Sequence, residues 1–324
     1  MRNEQATIQK LKKKKFCEFP FKGVYTALAT PFLPCGSCGK NEKEKVAENK
    51  IDYDALEKIV RAQVAAKIDG LVLFGSTGEH FSLTENEKKN LFFTVKEITS
   101  NKLPLVCCAG TPSTRATLND ALLFKSYGAN GLLLLTPFYY KCADNGVIAH
   151  FSLIAETAKL PVIIYNVPSR TGYDLYKKPN VLKALSQTKY VVGIKEAETD
   201  EITMSDFIRH SVLPVVSGCD ENNFSAYQAG AAGAISVASN VFPKKIKEIY
   251  DLYSACDEAE ASKKERLLKP LYKALTLQGN PVPLKFMLEK VYGCFGALRL
   301  PLTEATDENK KKIAKVLSEL STKN

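Results

Sequence analysis

Short apolar segments recur along this chain at intervals that predict alternating strands and helices. From Val24 onward, each apolar run is followed by a loop that contains Gly or Pro and then by an amphipathic stretch. The runs with the length and β-branched composition of strands are Val24 to Thr30, Gly70 to Phe74, Leu105 to Ala109, Gly131 to Leu135, Val162 to Tyr165, Val191 to Lys195, Val215 to Ser217 and Ala234 to Val237.

The segments between these runs carry the marks of amphipathic helices. Thr84 and Glu87 have the spacing of a capping box at the start of one helix, and Gly128 predicts the end of the next helix. One apolar face, which predicts a buried stripe, consists of Leu56, Ile59, Val60 and Val64.

Strands that are apolar along their whole length and alternate with helices predict a parallel sheet covered by those helices. The standard closure for eight such units is the (β/α)8 TIM barrel, which is the fold we predict for this α/β chain. An open, doubly wound sheet is the alternative. It would normally carry a glycine-rich phosphate turn after its first strand, and Thr30-Pro31-Phe32 is not such a turn.

The pattern predicts three regions: a basic, disordered leader at 1–22, the barrel at 23–243, and a C-terminal helical subdomain at 244–324. Beyond Phe242 the chain is predicted to be helical as far as Leu320, with a break at 280–283. One stripe of this tail consists of Ile246, Ile249, Tyr250 and Tyr253.

Composition adds expectations about partners and location. Part of the formal net charge of +10 comes from Lys10 and the run Lys12 to Lys15. No aromatic residues are interleaved with these lysines, so we expect a solvated tail rather than a nucleic-acid site. Cys35 and Cys38 form a CxxC without a second pair or nearby histidines, so zinc is not expected. Nine scattered cysteines and no membrane-length apolar stretch favour a soluble, cytoplasmic protein without a membrane partner.

A lysine at the end of one predicted strand is the first candidate for chemistry. In the segment Tyr190 to Glu196, with the sequence YVVGIKE, Lys195 directly follows the apolar residues. Most lysines point into water, because burying an ammonium is costly, so a lysine in this position is unusual unless it has a task.

Other polar residues follow the predicted strands at positions that a barrel would bring to one rim. Gly75, Ser76 and Thr77 follow the second strand, and Tyr139 follows the fourth. Tyr165 and Arg170 stand at and after the end of the fifth. Each residue alone could be structural, but their joint placement at successive strand ends favours a functional site.

This set of side chains suits amine catalysis on a keto acid. Desolvation lowers the pKa of a buried amine, so a useful fraction is neutral and can attack a ketone. Tyr139 and Tyr165, with a hydroxyl of Ser76 or Thr77, could relay protons. The Ser76-Thr77 turn could hold one carboxylate and Arg170 a second. Metal-assisted chemistry would need a ligand cluster, and the three histidines show no ligand spacing, so we expect no metal and no cofactor.

At these residues the sequence resembles the dihydrodipicolinate synthase / N-acetylneuraminate lyase family of class I aldolases. The resemblance rests on GSTGE, TPFYY, YNVPSRTG and GIKE, and covers 23–302. It implies that Lys195 forms the Schiff base with pyruvate and that Tyr165 is the acid/base above it. It further implies that Ser76 and Thr77 hold the pyruvate carboxylate and that Tyr139 acts across a dimer interface. Ile235 would place its carbonyl near the keto acid.

Within the family, Arg170 with NPVPLK at 280–285 and RLPLTE at 299–304 looks like the synthases. Two features depart from them: Ser76 replaces the threonine that is commoner in synthases, and TPFYY looks more like the lyases. The implied reaction condenses pyruvate with L-aspartate 4-semialdehyde to 4-hydroxy-tetrahydrodipicolinate, toward diaminopimelate and lysine. The implied assembly is a homotetramer, a dimer of dimers. The alternatives are another pyruvate-dependent lyase, acting on sialic acid or a sugar keto acid, and a non-catalytic metabolite-binding barrel.

The resemblance also bears on feedback by lysine. Lysine-inhibited members hold the effector with an asparagine, a glutamate and a tyrosine, where this chain has Thr114, Leu118 and Phe138. Leu118 cannot accept from an ammonium and Phe138 has no hydroxyl, so weak or absent inhibition by lysine is predicted.

Overall fold

The computed structural model of the protein describes residues 20–34 and 49–321. The predictions for the basic run at Lys10 and Lys12 to Lys15 and for the insertion with Cys35 and Cys38 lie outside the described residues.

Eight strands form one closed barrel in which strands adjacent in sequence are adjacent in the sheet. The strands are β1 (Gly23–Ala27), β2 (Gly70–Leu73), β3 (Leu105–Ala109), β4 (Gly131–Leu135), β5 (Val162–Asn166), β6 (Val191–Glu196), β7 (Val215–Ser217) and β8 (Gly233–Ser236). The ladders from β3 to β8 are parallel. The predicted (β/α)8 barrel is therefore confirmed, and the open doubly wound sheet is wrong.

Helices alternate with the strands and then form the C-terminal region. Their bounds are α1 (Tyr53–Ala65), α2 (Glu85–Ile98), α3 (Thr114–Tyr127), α4 (Asp144–Ala158), α5 (Pro168–Thr171), α6 (Pro179–Gln187), α7 (Glu201–His210), α8 (Asn223–Gln228), α9 (Pro243–Ser254), α10 (Glu258–Leu275), α11 (Val282–Tyr292) and α12 (Asp307–Ser321). The Thr84–Glu87 capping box is present, and Gly128 ends α3 in the left-handed conformation, as predicted.

The contacts of the chain group into two compact units, of which the first comprises the described residues within 1–25 together with 69–72 and 104–236. Its core includes a row of fully buried register partners that crosses four strands, formed by Leu134, Ile164, Ile194 and Val215. The next row toward the carboxyl ends contains Tyr165 and Lys195. Because successive side chains of a strand point to opposite faces of the sheet, Tyr165 and Lys195 face the side opposite to this apolar row.

The second unit comprises residues 26–68, 73–103 and the described residues from 237 onward. Within it, α10 packs against α9 and α12, and Leu268, Leu271 and Leu317 are buried there. Three breaks interrupt the helical tail rather than the single predicted one, because residues 255–257 and 293–306 are also non-helical. The predicted division of the chain after residue 243 stays a prediction.

Three predicted strand ends are wrong for local physical reasons. The first strand ends at Ala27 because the Asn240 side chain bonds the Ala27 carbonyl and the Ala29 N–H, which a longer ladder would need. Phe74 has φ +62°, a left-handed conformation that cannot continue β2. The last strand ends before Val237, whose φ of −88° and ψ of −41° are helical.

Two apolar stripes are narrower than predicted. In α1 the residues Leu56, Ile59 and Val60 are buried, but Val64 is 39% exposed and lies at the edge of the stripe. In α9 the isoleucines are buried, while Tyr250 and Tyr253 are only half-buried.

Two further expectations can be compared with the described residues. Their six cysteines, at 107, 108, 142, 219, 256 and 294, form no disulfide with one another. Within 20–34 and 49–321, none of the helices combines the length and the apolar character that a membrane span requires.

Candidate active site

The side chain of Lys195 is buried at the carboxyl end of β6, with 5% of its surface exposed. Its register partner on β5 is Tyr165, and the lysine Nζ lies 4.2 Å from the centroid of the tyrosine ring. Among the described residues, no hydrogen-bond acceptor or carboxylate is paired with this amine. A buried amine without such a partner is costly, which makes Lys195 a candidate for a chemical role.

The backbone at Gly218, just after β7, makes room for this lysine. A Cβ built on Gly218 would lie 2.6 Å from Lys195 Cε and 3.0 Å from the Glu196 carbonyl oxygen. The Gly218 N–H donates to that same carbonyl at 2.6 Å. Any larger residue at position 218 would therefore displace the stem of Lys195.

The next register pair on the same two strands, Asn166 and Glu196, forms a buried polar contact. Asn166 Nδ2 donates to Glu196 Oε2 at 2.8 Å, and the Glu198 N–H donates to Oε1 at 3.0 Å. Burial raises the pKa of Glu196 to about 8, against the opposing effect of these two hydrogen bonds, and the Asp174 carboxylate adds to the rise. Burial thus opposes ionisation of Glu196, and its hydrogen bond with Asn166 ties β5 to β6 beside the Tyr165–Lys195 pair.

The turn after β2 carries Gly75, Ser76 and Thr77 in the second unit. Ser76–Gly78 is a single 3₁₀ turn that begins after Gly75, with the Gly78 N–H donating to the Gly75 carbonyl at 3.0 Å. Thr77 is buried, and its Oγ1 accepts a hydrogen bond from Asn280 Nδ2 at 3.0 Å. A Cβ at Gly75 would meet no atom of the described residues within 4 Å, so the space beside this glycine is open.

Glu79, directly after this turn, belongs to a buried ion pair. Its carboxylate Oε1 lies 2.7 Å from Lys285 Nζ, and both side chains are 1% exposed. Lys285 also donates to the carbonyls of Thr30 and Ala297. Burial lowers the pKa of Lys285, and the Glu79 carboxylate opposes that shift. The described residues thus include two buried lysines, of which Lys285 has carboxylate and carbonyl partners among them and Lys195 does not.

Tyr139 lies in the loop that follows β4. Its φ is +70°, a conformation that costs a non-glycine residue about 1 to 3 kcal/mol. Its side chain is 86% exposed and meets the Tyr140 ring edge to face at 5.5 Å. The backbone therefore holds this ring out from the protomer.

Arg170 lies on the short helix α5, after β5, and is exposed. Hydrogen bonds fix the loop around it, because Thr136 Oγ1 donates to Thr171 Oγ1 at 3.1 Å. The Tyr173 hydroxyl donates to the Asp144 carboxylate at 2.9 Å, and burial together with this bond raises the pKa of Tyr173. The guanidinium is thus presented to solvent on an anchored loop.

The structure shows which of the predicted residues share a pair of strands and which share a turn. Lys195 and Tyr165 are direct neighbours, and Gly75, Ser76 and Thr77 share one turn. Ile235 is buried in β8. Sequence reasoning missed the partnership of Asn166 with Glu196 and of Asn280 with Thr77. The motifs YNVPSRTG and NPVPLK contained both asparagines, but nothing in the sequence named their partners.

A closed parallel barrel with a buried, unpaired lysine and a tyrosine on neighbouring strand ends is the architecture of a (β/α)8-barrel enzyme. The chain belongs to the dihydrodipicolinate synthetase family, whose model matches residues 20–320.

Individual relatives and solved structures agree with this assignment. A 4-hydroxy-tetrahydrodipicolinate synthase of Rickettsia bellii is 35% identical over 306 residues, which cover 94% of this chain and 98% of the relative. The crystal structure of the dihydrodipicolinate synthase of Thermotoga maritima superposes with a TM-score of 0.84 at 34% identity, covering 93% of this chain and 99% of that one. The chloride-inhibited synthase of Acinetobacter baumannii, solved in complex with pyruvate, superposes with a TM-score of 0.84 at 29% identity and the same coverage.

Proposed function

We propose that this enzyme condenses pyruvate with L-aspartate 4-semialdehyde to form 4-hydroxy-tetrahydrodipicolinate, on the route to diaminopimelate and lysine. The observation that carries the proposal is the buried Lys195 amine beside Tyr165, without a charged partner among the described residues. Family membership and the pyruvate complex of the Acinetobacter baumannii relative support pyruvate as the first substrate.

The proposed chemistry begins with attack of the neutral Lys195 amine on the pyruvate ketone, which forms a carbinolamine. Loss of water then gives the Schiff base, and loss of a methyl proton gives the enamine that attacks the aldehyde. Tyr165 is the proposed proton donor and acceptor in these steps, and Ser76 and Tyr139 complete the proposed proton relay. Thr77 and the open space beside Gly75 would receive the pyruvate carboxylate, with the Ile235 carbonyl near the keto acid.

Arg170 is the proposed contact for the carboxylate of the semialdehyde, because its planar fork suits bidentate recognition. Replacing it with Met is expected to lower kcat/KM for the semialdehyde by roughly tenfold to hundredfold, the value of one or two charge-assisted hydrogen bonds. Pyruvate binding should stay unchanged. The measurement is a coupled assay in which each substrate is varied at saturation of the other.

The control for this experiment is Arg266→Met, which makes the same chemical change on the exposed face of α10. If Arg170→Met turns over the semialdehyde as the parent does, the synthase assignment is wrong. Cleavage of N-acetylneuraminate or a sugar keto acid by the parent enzyme would then identify the alternative lyase.

Weak inhibition by lysine follows from the side chains at the corresponding effector position. The Thr114 hydroxyl is hydrogen-bonded to His150 Nδ1 at 2.9 Å, and burial lowers the pKa of His150 to about 4, so this pair is neutral near neutral pH. Leu118 and Phe138 add no oxygen that could accept from an ammonium. The enzyme is expected to keep its activity at submillimolar lysine.

Introducing side chains that can accept hydrogen bonds from lysine at these positions should make the enzyme sensitive to inhibition by lysine. The double variant with Leu118→Glu and Phe138→Tyr is expected to become lysine-sensitive, and each variant is assayed across a lysine titration. Strong inhibition of the parent enzyme at submillimolar lysine would reject this prediction.

The proposed assembly is a homotetramer built from two dimers, in which Tyr139 reaches the active site of the partner. The exposed Tyr139 and Tyr140 rings support an interface at this loop. Sedimentation velocity at assay concentration measures the assembly directly, and an active monomer would contradict it. The cysteines of the described residues form no disulfide with one another, which supports the proposed cytoplasmic location.

A further inference from the structure

The segment Asn280–Lys285, with the sequence NPVPLK, has no task in the proposed reaction, yet two of its side chains contact the turn after β2. Asn280 Nδ2 donates to Thr77 Oγ1 at 3.0 Å. Lys285 Nζ pairs with Glu79 Oε1 at 2.7 Å. Asn280, just before α11, and Lys285, within α11, therefore contact the turn and the residue that directly follows it.

Two further bonds hold this segment, one to the backbone of the turn and one to the Glu79 side chain. Thr30 Oγ1 donates to the Gly78 carbonyl at 2.8 Å, and the Arg299 N–H donates to Glu79 Oε2 at 3.1 Å. With the backbone held and the Thr77 side chain buried, the orientation of the Thr77 hydroxyl proton is the remaining freedom.

A hydroxyl has one proton to donate and two lone pairs that accept. By donating to Thr77 Oγ1, Asn280 occupies a lone pair and leaves the proton available for another acceptor. The Asn280 amide is the only hydrogen-bond partner of this hydroxyl in the part of the chain that the structure describes. The proton is therefore free for a ligand that can only accept.

We propose that Asn280 is a positioning residue that directs the Thr77 hydroxyl proton toward the pyruvate carboxylate. The inference rests on the proposed function, because it requires a keto acid whose carboxylate reaches Thr77. Asn280 acts through Thr77 and not by contact with the reacting carbon.

The most direct test is Asn280→Asp, which reverses the direction of the bond. An ionised aspartate accepts the Thr77 proton and also repels the pyruvate carboxylate. The apparent dissociation constant of pyruvate, from the concentration dependence of cyanoborohydride inactivation, should rise roughly tenfold to hundredfold. The KM for the second substrate should stay within about twofold, because that substrate does not contact Thr77.

The pH dependence separates this role from a merely structural one. A protonated aspartate can donate, so the ratio of the variant's pyruvate dissociation constant to that of the parent should shrink as the pH falls from about 8 toward 5. The matched control is Asn145→Asp, the same change at an exposed position of α4, which should bind pyruvate as the parent does.

A double-mutant cycle provides a second test that does not depend on the folding of the aspartate variant. Asn280→Ala should weaken pyruvate binding severalfold in the parent and have no further effect in the Thr77→Val background, because the amide acts through the missing hydroxyl.

Unchanged pyruvate binding in Asn280→Asp, a pH-independent ratio, or additive effects in the cycle would overturn the inference. If pyruvate fails to trap the parent enzyme at Lys195, the proposed function itself fails. The two failures are therefore distinguishable.

Discussion

Replacing Lys195 with arginine is expected to lower turnover by on the order of a thousandfold or more, the scale for removing a group of the chemical step. Arginine keeps the positive charge, but its guanidinium stays protonated and cannot attack a ketone. The comparison therefore separates covalent catalysis from electrostatic attraction of a carboxylate. Steady-state assays with saturating pyruvate measure the loss.

The matched control is Lys189→Arg, at an exposed position just before β6. It should retain full activity, and the thermal midpoints of both variants should stay near that of the parent. If Lys195→Arg keeps a tenth or more of the parent turnover, the role of this amine in covalent catalysis is wrong.

Replacing Lys285 with methionine is expected to lower the free energy of unfolding by about 3 to 5 kcal/mol, as for other broken buried ion pairs. The change leaves the Glu79 carboxylate buried without its partner and removes the donor to the Thr30 and Ala297 carbonyls. Urea denaturation at fixed protein concentration measures the effect, since assembly makes stability concentration-dependent.

Two comparisons test the cause of this loss. Lys310→Met removes an ion pair with Glu304 whose side chains are 28% and 66% exposed, and it should cost less than about 1 kcal/mol. Adding Glu79→Gln to Lys285→Met should restore part of the stability, because it removes the unpaired charge. Equal losses for the buried and the exposed pair would contradict the explanation.

The barrel could be predicted from the sequence because each strand is an apolar run that can be recognised from its own residues alone. The strand ends could not, since they depend on distant or conformational features. Asn240 ends β1 by hydrogen bonding to backbone groups far away in the sequence. Phe74 adopts a positive φ although it is not a glycine, so its residue type does not predict the end of β2.

The candidate site, like the fold, could be predicted from the sequence only in part. Lys195 and Tyr165 could be identified because each closes an apolar run, and their neighbourhood follows from parallel register. Lys285 also stands among apolar residues, and the local pattern cannot distinguish the two lysines. The two lysines differ because Lys285 is paired with Glu79, which comes from a distant part of the sequence. The contact of Asn280 with Thr77, which are 203 positions apart, is hidden for the same reason.

The proposed reaction depends on Lys195 being the amine that bonds to pyruvate. Borohydride reduction in the presence of pyruvate, followed by mass-spectrometric mapping of the modified peptide, tests this most directly. We predict one adduct, on Lys195, and none on the paired Lys285. An adduct on any other lysine, or continued turnover without an adduct, would contradict the account.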